Sequence, residues 1–341
     1  MNSTGESSSA DSRSAVVDWR RFTALVRPCR RFLLTTHIRP DGDALGSTLA
    51  MAAILEQFGG EVSIVADFDV PPRFQFLDPE KRIRRLGRDV PRDRLPPFDL
   101  LLVIDTSAWA QLGEMGDVIR ATTAKKAVLD HHLSTDDLGA EVFRDTAAEA
   151  AGRVVYEAAE QLGATVTPRI ATLLFAALAT DTGWFRFAST SEDTYRLAAR
   201  LTEAGAVPHQ MYRDLYENDT VARLQLIGRT MARLQTELDG RLIYTWMTLE
   251  DFAVCGALPS DSEDVINMTL AVGGTEVAVI LVEQAAGGFK VSFRSRSAVD
   301  CSRVAERFGG GGHRSAAGAF LPDPLPDARA KVLDAVRAAM R

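Results

Sequence analysis

The sequence predicts an α/β fold in two parts: an N-terminal domain built on a parallel sheet, and a second, smaller α/β domain. Three observations carry this expectation. At 341 residues the chain exceeds the roughly 100 to 200 residues of one ordinary domain. Over residues 18–201 short apolar runs alternate with helical patterns, which is the rhythm of β-α-β units. Beyond Asp239-Gly240 the pattern changes to a new set of strands and helices.

Strands are expected at 32–36, 61–66, 99–104 and 126–129, because each run is short, apolar and rich in Leu, Val or Ile, as strands covered on both faces are. Residues 47–58 are good helix formers that open on a capping serine and stop at Gly59-Gly60. A further apolar helix covers 169–178. Segment 206–238 reads as a polar helical linker, with Pro208 near its start, between a first domain at 17–205 and a second at 239–341. In the second domain strands are expected at 242–247, 276–282 and 289–294, and helices at 262–271, 299–308 and 327–340. Residues 1–16 are polar and Ser-rich, so a disordered tail is expected there rather than a secretory signal.

Composition narrows the function classes. With 46% hydrophobic and 25% charged residues, the chain falls outside the disordered, collagen-like and membrane classes. Cys29, Cys255 and Cys301 form no C-x-x-C pair, so a zinc or redox site is not expected, and buried thiols in a reducing cytoplasm are. No run reaches the roughly 18 apolar residues of a membrane span. A net charge of -7 argues against a long grip on duplex nucleic acid, which needs many cationic phosphate contacts. Short anionic substrates remain compatible, because bound divalent ions and a few arginines make an attractive pocket in an acidic protein. A homodimer stays open.

The chemistry-bearing residues gather at expected strand ends. His37-Ile38-Arg39-Pro40-Asp41-Gly42-Asp43 follows the first strand, where ligands bind in open α/β sheets. Imidazole and carboxylate suit first-row divalent metals, and an Asp-x-Asp pair crowds two negative charges unless a cation neutralises them. Pro-Asp-Gly alone would read as a turn. However, Asp105 ends the run 100–104 and Asp130-His131-His132 ends the run 126–129, so three strand ends deliver acidic or imidazole groups to one edge. Asp181, expected just after the helix at 169–178, is a fourth candidate whose plain reading is a helix stop. His209 is the one histidine outside these clusters and the glycine run described next, and it reads as structural or surface.

In the second domain the run Phe308-Gly309-Gly310-Gly311-Gly312-His313-Arg314 precedes an apolar strand-like segment. Successive glycines let the backbone approach a ligand, and their amides can form an anion-binding nest. Upstream, Phe289, Val291 and Phe293 alternate with Lys290, Ser292 and Arg294, so the aromatic positions face a core and Arg294 lies on the opposite face.

These motifs resemble the DHH phosphoesterases, a family named for the triplet seen here as Asp130-His131-His132. All four metal-site motifs occur in order, as HIRPDGD, Asp105, the DHH triplet and the Asp181 segment, without a substituted ligand. The resemblance implies that His37, Asp41 and Asp105 bind one metal, that Asp43, Asp105, His131 and Asp181 bind the other, and that Asp105 bridges them. It places His132 against the substrate phosphate. A mixed oxygen and imidazole ligand set suits manganese, with cobalt, magnesium and zinc also compatible by ligand type. The glycine run is similar to the GGGHxxAAG signature of the DHH-associated domain. That likeness implies substrate contacts from Gly310, Gly311, Gly312 and His313, with Arg294 and, more weakly, Arg296 on the phosphate. By length the sequence looks most like the compact oligoribonucleases that also remove the 3′-phosphate of adenosine 3′,5′-bisphosphate. Hydrolysis of cyclic or linear dinucleotides and a catalytically silent nucleotide sensor are the alternatives. A dinucleotide-dependent oxidoreductase is excluded, because no G-x-G-x-x-G opens a helix after an expected strand.

Overall fold

The computed structural model describes residues 17–133, 136–263, 265–312 and 314–341; the tail expected at 1–16 and His313 lie outside them. The chain divides into two compact units, one ending at Glu217 and the other beginning at Asn218. In the first, α1 (Trp19–Val26) precedes β1 (Arg31–Thr35), α2 (Gly42–Glu56), β2 (Glu61–Ala66) and β3 (Ile83–Arg85). Next come β4 (Leu100–Ile104), α3 (Met115–Ala121), β5 (Lys125–Asp130) and β6 (Glu141–Arg144). Helices α4 (Ala151–Leu162), α5 (Pro168–Asp181), α6 (Glu192–Glu203) and α7 (Pro208–Tyr216) complete the unit.

The six strands pair in parallel in the order β3-β2-β1-β4-β5-β6. The chain order reverses between β1 and β4, so connections leave these strands in opposite directions and open a crevice at their carboxyl ends. The apolar runs are continuous because both faces are covered. Leu34, Leu102 and Leu129 pack with α2, α4 and α5, while Leu33, Leu101, Val103 and Val128 pack with Met115 and Ile119 of α3.

Helix α2 begins at Gly42 and not at Ser47, a correction with a local cause. The Asp41 carboxylate accepts from the Ala44 amide at 3.0 Å and caps the helix six residues before Ser47, leaving Ser47 inside it. Helix α2 also lies close to α5, because Gly42 and Gly46 carry no side chain. A Cβ at Gly46 would meet the Leu173 carbonyl oxygen at 2.4 Å, and one at Gly42 would meet the Thr180 side chain at 2.5 Å. Helix α5 runs three residues further than expected, so Asp181 is its last residue rather than part of a following loop. The Thr182 hydroxyl donates to the Leu178 carbonyl at 2.7 Å and closes the final turn.

The second unit contains α8 (Val221–Ala232), β7 (Gln235–Glu237), β8 (Leu242–Met247), α9 (Leu249–Cys255), α10 (Val265–Thr269) and β9 (Val277–Glu283). It ends with β10 (Phe289–Ser295), α11 (Cys301–Glu306), β11 (Gly311–Gly312), β12 (Ala316–Leu321) and α12 (Leu325–Ala339). The sheet order is β11-β12-β10-β9-β8-β7, antiparallel except between β8 and β9. Phe289, Val291 and Phe293 face a core completed by α11 and α12, and Ile243, Ala278 and Ile280 face α8, α9 and α10.

The segment expected to be one linker at 206–238 is divided, with α7 in the first unit and α8 in the second. Of the helix expected at 262–271, the described residues form an α-helix at Val265–Thr269, after which tighter turns bond Ala271 to Met268 and Val272 to Thr269. Likewise the helix expected at 299–308 starts at Cys301, where Asp300 accepts from the Ser302 amide at 3.0 Å.

Candidate metal centre

Strands β1, β4 and β5 end side by side, and each passes a polar group to the crevice within two residues of its last residue. From β1 comes His37, and the helix that follows presents Asp41 at its cap and Asp43 in its first turn. From β4 comes Asp105, held by its amide on the Leu129 carbonyl at 2.9 Å. Its φ of 63° lies in the left-handed region, which aspartate tolerates better than most side chains and which clusters at functional sites. From β5 come His131 and His132, and α5 brings Asp181.

These groups meet. Asp105 places Oδ2 3.4 Å from His37 Nε2 and Oδ1 3.5 Å from His131 Nε2, so one carboxylate faces two imidazoles. His131 Nε2 also lies 3.8 Å from Asp43 Oδ2 and 3.6 Å from Asp181 Oδ2. Ligand atoms of His37, Asp41 and Asp105 lie within 4.8 Å of one another, and so do those of Asp43, His131 and Asp181. Asp105, His131 and His132 form a third such group.

The electrostatics are those of a site with too much buried negative charge. Burial, aided by Asp105 and Asp181, pushes the Asp43 carboxyl well above the usual range. Burial lifts Asp181 to about 6, against the pull of His131. Asp41 is raised by burial and by Asp105. Asp105 alone is held low in spite of burial, because His131 and His37 flank it. Burial disfavours charge on His131, yet Asp105, Asp43 and Asp181 hold its pKa up to about 10. Protons here do the neutralising that cations could do. The fit to a metal rests on a specific atom: Asp105 Oδ1 is fully buried and makes no hydrogen bond, and such an orphaned acceptor needs a partner. A mixed carboxylate and imidazole donor set suits a divalent first-row ion.

A second layer of residues orients these groups, and the sequence showed little of it. The Asp43 carboxylate accepts from the Ala151 amide at 2.7 Å, the Gly152 amide at 2.9 Å and the Ser47 hydroxyl at 2.8 Å. It thereby caps α4, whose own cap residue, Ala150, has no side-chain oxygen. His131 Nδ1 lies 3.1 Å from the Ala148 carbonyl, which makes Nδ1 a donor and aims Nε2 at the carboxylates, where loss of its own proton would free it to bind a cation. Asp130 is not among the grouped ligands. It accepts from His132 Nδ1 at 2.8 Å, from the His131 amide at 2.8 Å and from the Ser107 hydroxyl at 2.6 Å. The triplet itself was the available signal for Asp130; nothing in the sequence marked Ser107 or Ala148.

In the second unit Arg294 is half-buried on β10, opposite the aromatic face, as its alternation predicts, and Arg296 is exposed just beyond. The glycine run is more constrained than a freely approachable nest. A Cβ at Gly310 would meet the Gly318 carbonyl at 2.2 Å and one at Gly312 the Ala316 carbonyl at 2.6 Å, so these two glycines let β11 lie on β12. Gly311 faces open space.

Fold and site together define a metal-dependent phosphoesterase of the α/β class. The chain belongs to the DHH family: the pattern of the DHH family, N-terminal domain, matches residues 31–178, and that of the DHHA1 domain matches residues 253–341. It is 33% identical to the bifunctional oligoribonuclease and PAP phosphatase NrnA of Thermus thermophilus over 89% of this chain and 88% of that protein. It is 27% identical to the protein of the same name from Bacillus subtilis, over 85% and 88%. An exopolyphosphatase-related protein from Bacteroides fragilis shares the fold with a TM-score of 0.86 at 23% identity, covering 94% of this chain and 95% of the other. No helix among the described residues is long and apolar enough to cross a membrane.

Proposed function

We propose that this protein is a cytoplasmic two-metal enzyme that hydrolyses short oligoribonucleotides to mononucleotides and removes the 3′-phosphate of adenosine 3′,5′-bisphosphate. The observation that carries the reading is the Asp105 carboxylate, with one oxygen toward His37 and the other toward His131. His37, Asp41 and Asp105 would hold one ion, and Asp43, His131 and Asp181 the second, joined by Asp105 through its other oxygen, 3.5 Å from His131 Nε2. Manganese suits this donor set. Bound there, two divalent ions would acidify a water and neutralise the phosphate oxygens of an in-line displacement.

The remaining steps belong to side chains. Asp130 accepts a hydrogen bond from His132 Nδ1–H and favours the imidazolium, whose Nε2–H faces substrate and donates to the phosphoryl group or to the leaving oxygen. Arg294, with Arg296 beside it, supplies a guanidinium for a terminal phosphate. Gly310, Gly311, Gly312 and His313 complete the substrate contacts of the second unit, and among the described glycines Gly311 has the space to do so. The names of the Thermus and Bacillus relatives support the substrate class.

The test is a panel of dinucleotides to pentanucleotides, adenosine 3′,5′-bisphosphate and pyrophosphate, assayed with manganese. Turnover of the short RNAs and of the bisphosphate is expected. Turnover of pyrophosphate alone would refute the proposal.

A further inference from the structure

Directly after Asp181 the backbone turns with the wrong hand. Gly183, Trp184 and Phe185 have φ of 56°, 59° and 62°, a left-handed run that two aromatic residues adopt only when their surroundings impose it. The Trp184 amide donates to the Ala179 carbonyl at 2.6 Å, the Phe185 amide to the Thr182 hydroxyl at 3.1 Å, and Arg186 Nε to the Gly183 carbonyl at 2.7 Å. The result is a Trp184 ring fixed against α7, edge-on to Tyr212 at 5.0 Å and to Tyr216 at 5.8 Å. Core packing does not account for the outer surface of this cluster, because Tyr212 and Tyr216 remain 40% and 45% exposed. A groove of about 540 Å³ opens there, lined by Trp184, Pro208, His209, Tyr212, Arg213 and Glu217.

We propose that this groove takes the base of a nucleotide flanking the scissile phosphate. The inference rests on the reading that the substrate is a short RNA. Trp184 follows Asp181 by three residues, so their Cα atoms lie within roughly 11 Å, the reach of a neighbouring nucleotide. Aromatic faces stack any base, which suits an enzyme for short RNA of unspecified sequence. Arg213 and His209 offer donors to the attached sugar and phosphate, and Glu217 accepts from an exocyclic amine. The volume lies in the range of small-molecule sites. An apolar protein partner fits less well, since half of the lining residues are charged or ionisable. His209, unassigned by the motifs, gains a place here.

The experiment is a titration of metal-free protein with adenosine 5′-monophosphate and with ribose 5-phosphate, read by tryptophan fluorescence. Quenching by the nucleotide and none by the sugar phosphate is expected, and Trp184→Phe should abolish the signal although three other tryptophans remain. Tyr212→Ala should weaken nucleotide affinity about tenfold and Tyr212→Phe should restore it, as stacking predicts. Unaltered affinity in a Tyr212→Ala protein with unchanged circular dichroism would overturn the assignment, as would quenching that survives Trp184→Phe. Failure to cleave short RNA with manganese, with the titrations as expected, would instead remove the functional reading and leave the groove standing.

Discussion

Both oxygens of Asp43 are engaged by groups of α2 and α4, so the carboxylate reaches the His131 ring with its orientation already set. Asp130 does the same for His132 without belonging to the grouped ligands. Asp130→Asn removes the acceptor that selects the His132 tautomer, and turnover of a dinucleotide should fall about 10- to 100-fold, the usual cost of losing an orienting partner. Manganese content, measured on the dialysed protein, should stay at the wild-type value; loss of metal would show that Asp130 supports the ligands instead. His132→Ala should likewise lower turnover and keep the metal. Asp105→Asn is expected to lower manganese content to background, because the residue belongs to both of the proposed ligand sets.

At the scale of elements, the packing of α2 on α5 decides whether Asp43 and Asp181 arrive at the same place. Gly46→Ala would push a methyl group into the Leu173 carbonyl, and the overpacking should cost about 1–3 kcal/mol with a lower Tm and weaker manganese binding. Gly228, in the interior of α8, has nothing within 4 Å of a built Cβ and is exposed. Gly228→Ala should therefore stabilise the second unit by about 0.5–1 kcal/mol through helix propensity alone. Thermal unfolding of the two variants checks both signs.

Across the whole molecule, the metal centre lies in one of two units, and its protonation couples to that unit's stability. His131 holds its proton up to about 10 in the folded protein, compared with about 6.5 for a free imidazole. Its contribution is therefore full below the unfolded value and is lost as pH rises toward 10. Asp181, raised to about 6, works in the same direction over a lower range: the folded state binds the extra proton, so stability falls as pH rises through that value. Cations need these groups deprotonated and displace the protons on binding. The Tm difference between manganese-loaded and chelator-treated protein should thus widen between about pH 5.5 and about pH 8.5, since a ligand of the native state stabilises more as its affinity grows. Calorimetry should show the shift in the transition of the first unit; an equal shift at both pH values would contradict this linkage.

How much was legible follows from the range of the forces involved. The four inner strands of the parallel sheet need apolar runs and a turn at each end, and both are local, so β1, β2, β4 and β5 could be read to within a residue or two. The short edge strands β3, β6 and β7 lack an apolar run and could not. The sequence by itself determined which side chains are available for a metal site, because a His or Asp placed after an apolar strand declares its own chemistry. Tertiary structure alone decided that Asp105 faces both imidazoles, that α4 is capped by a residue 108 positions away, and that a left-handed turn aims Trp184 at α7. Those outcomes depend on contacts between distant segments, for which a sequence window holds no signal.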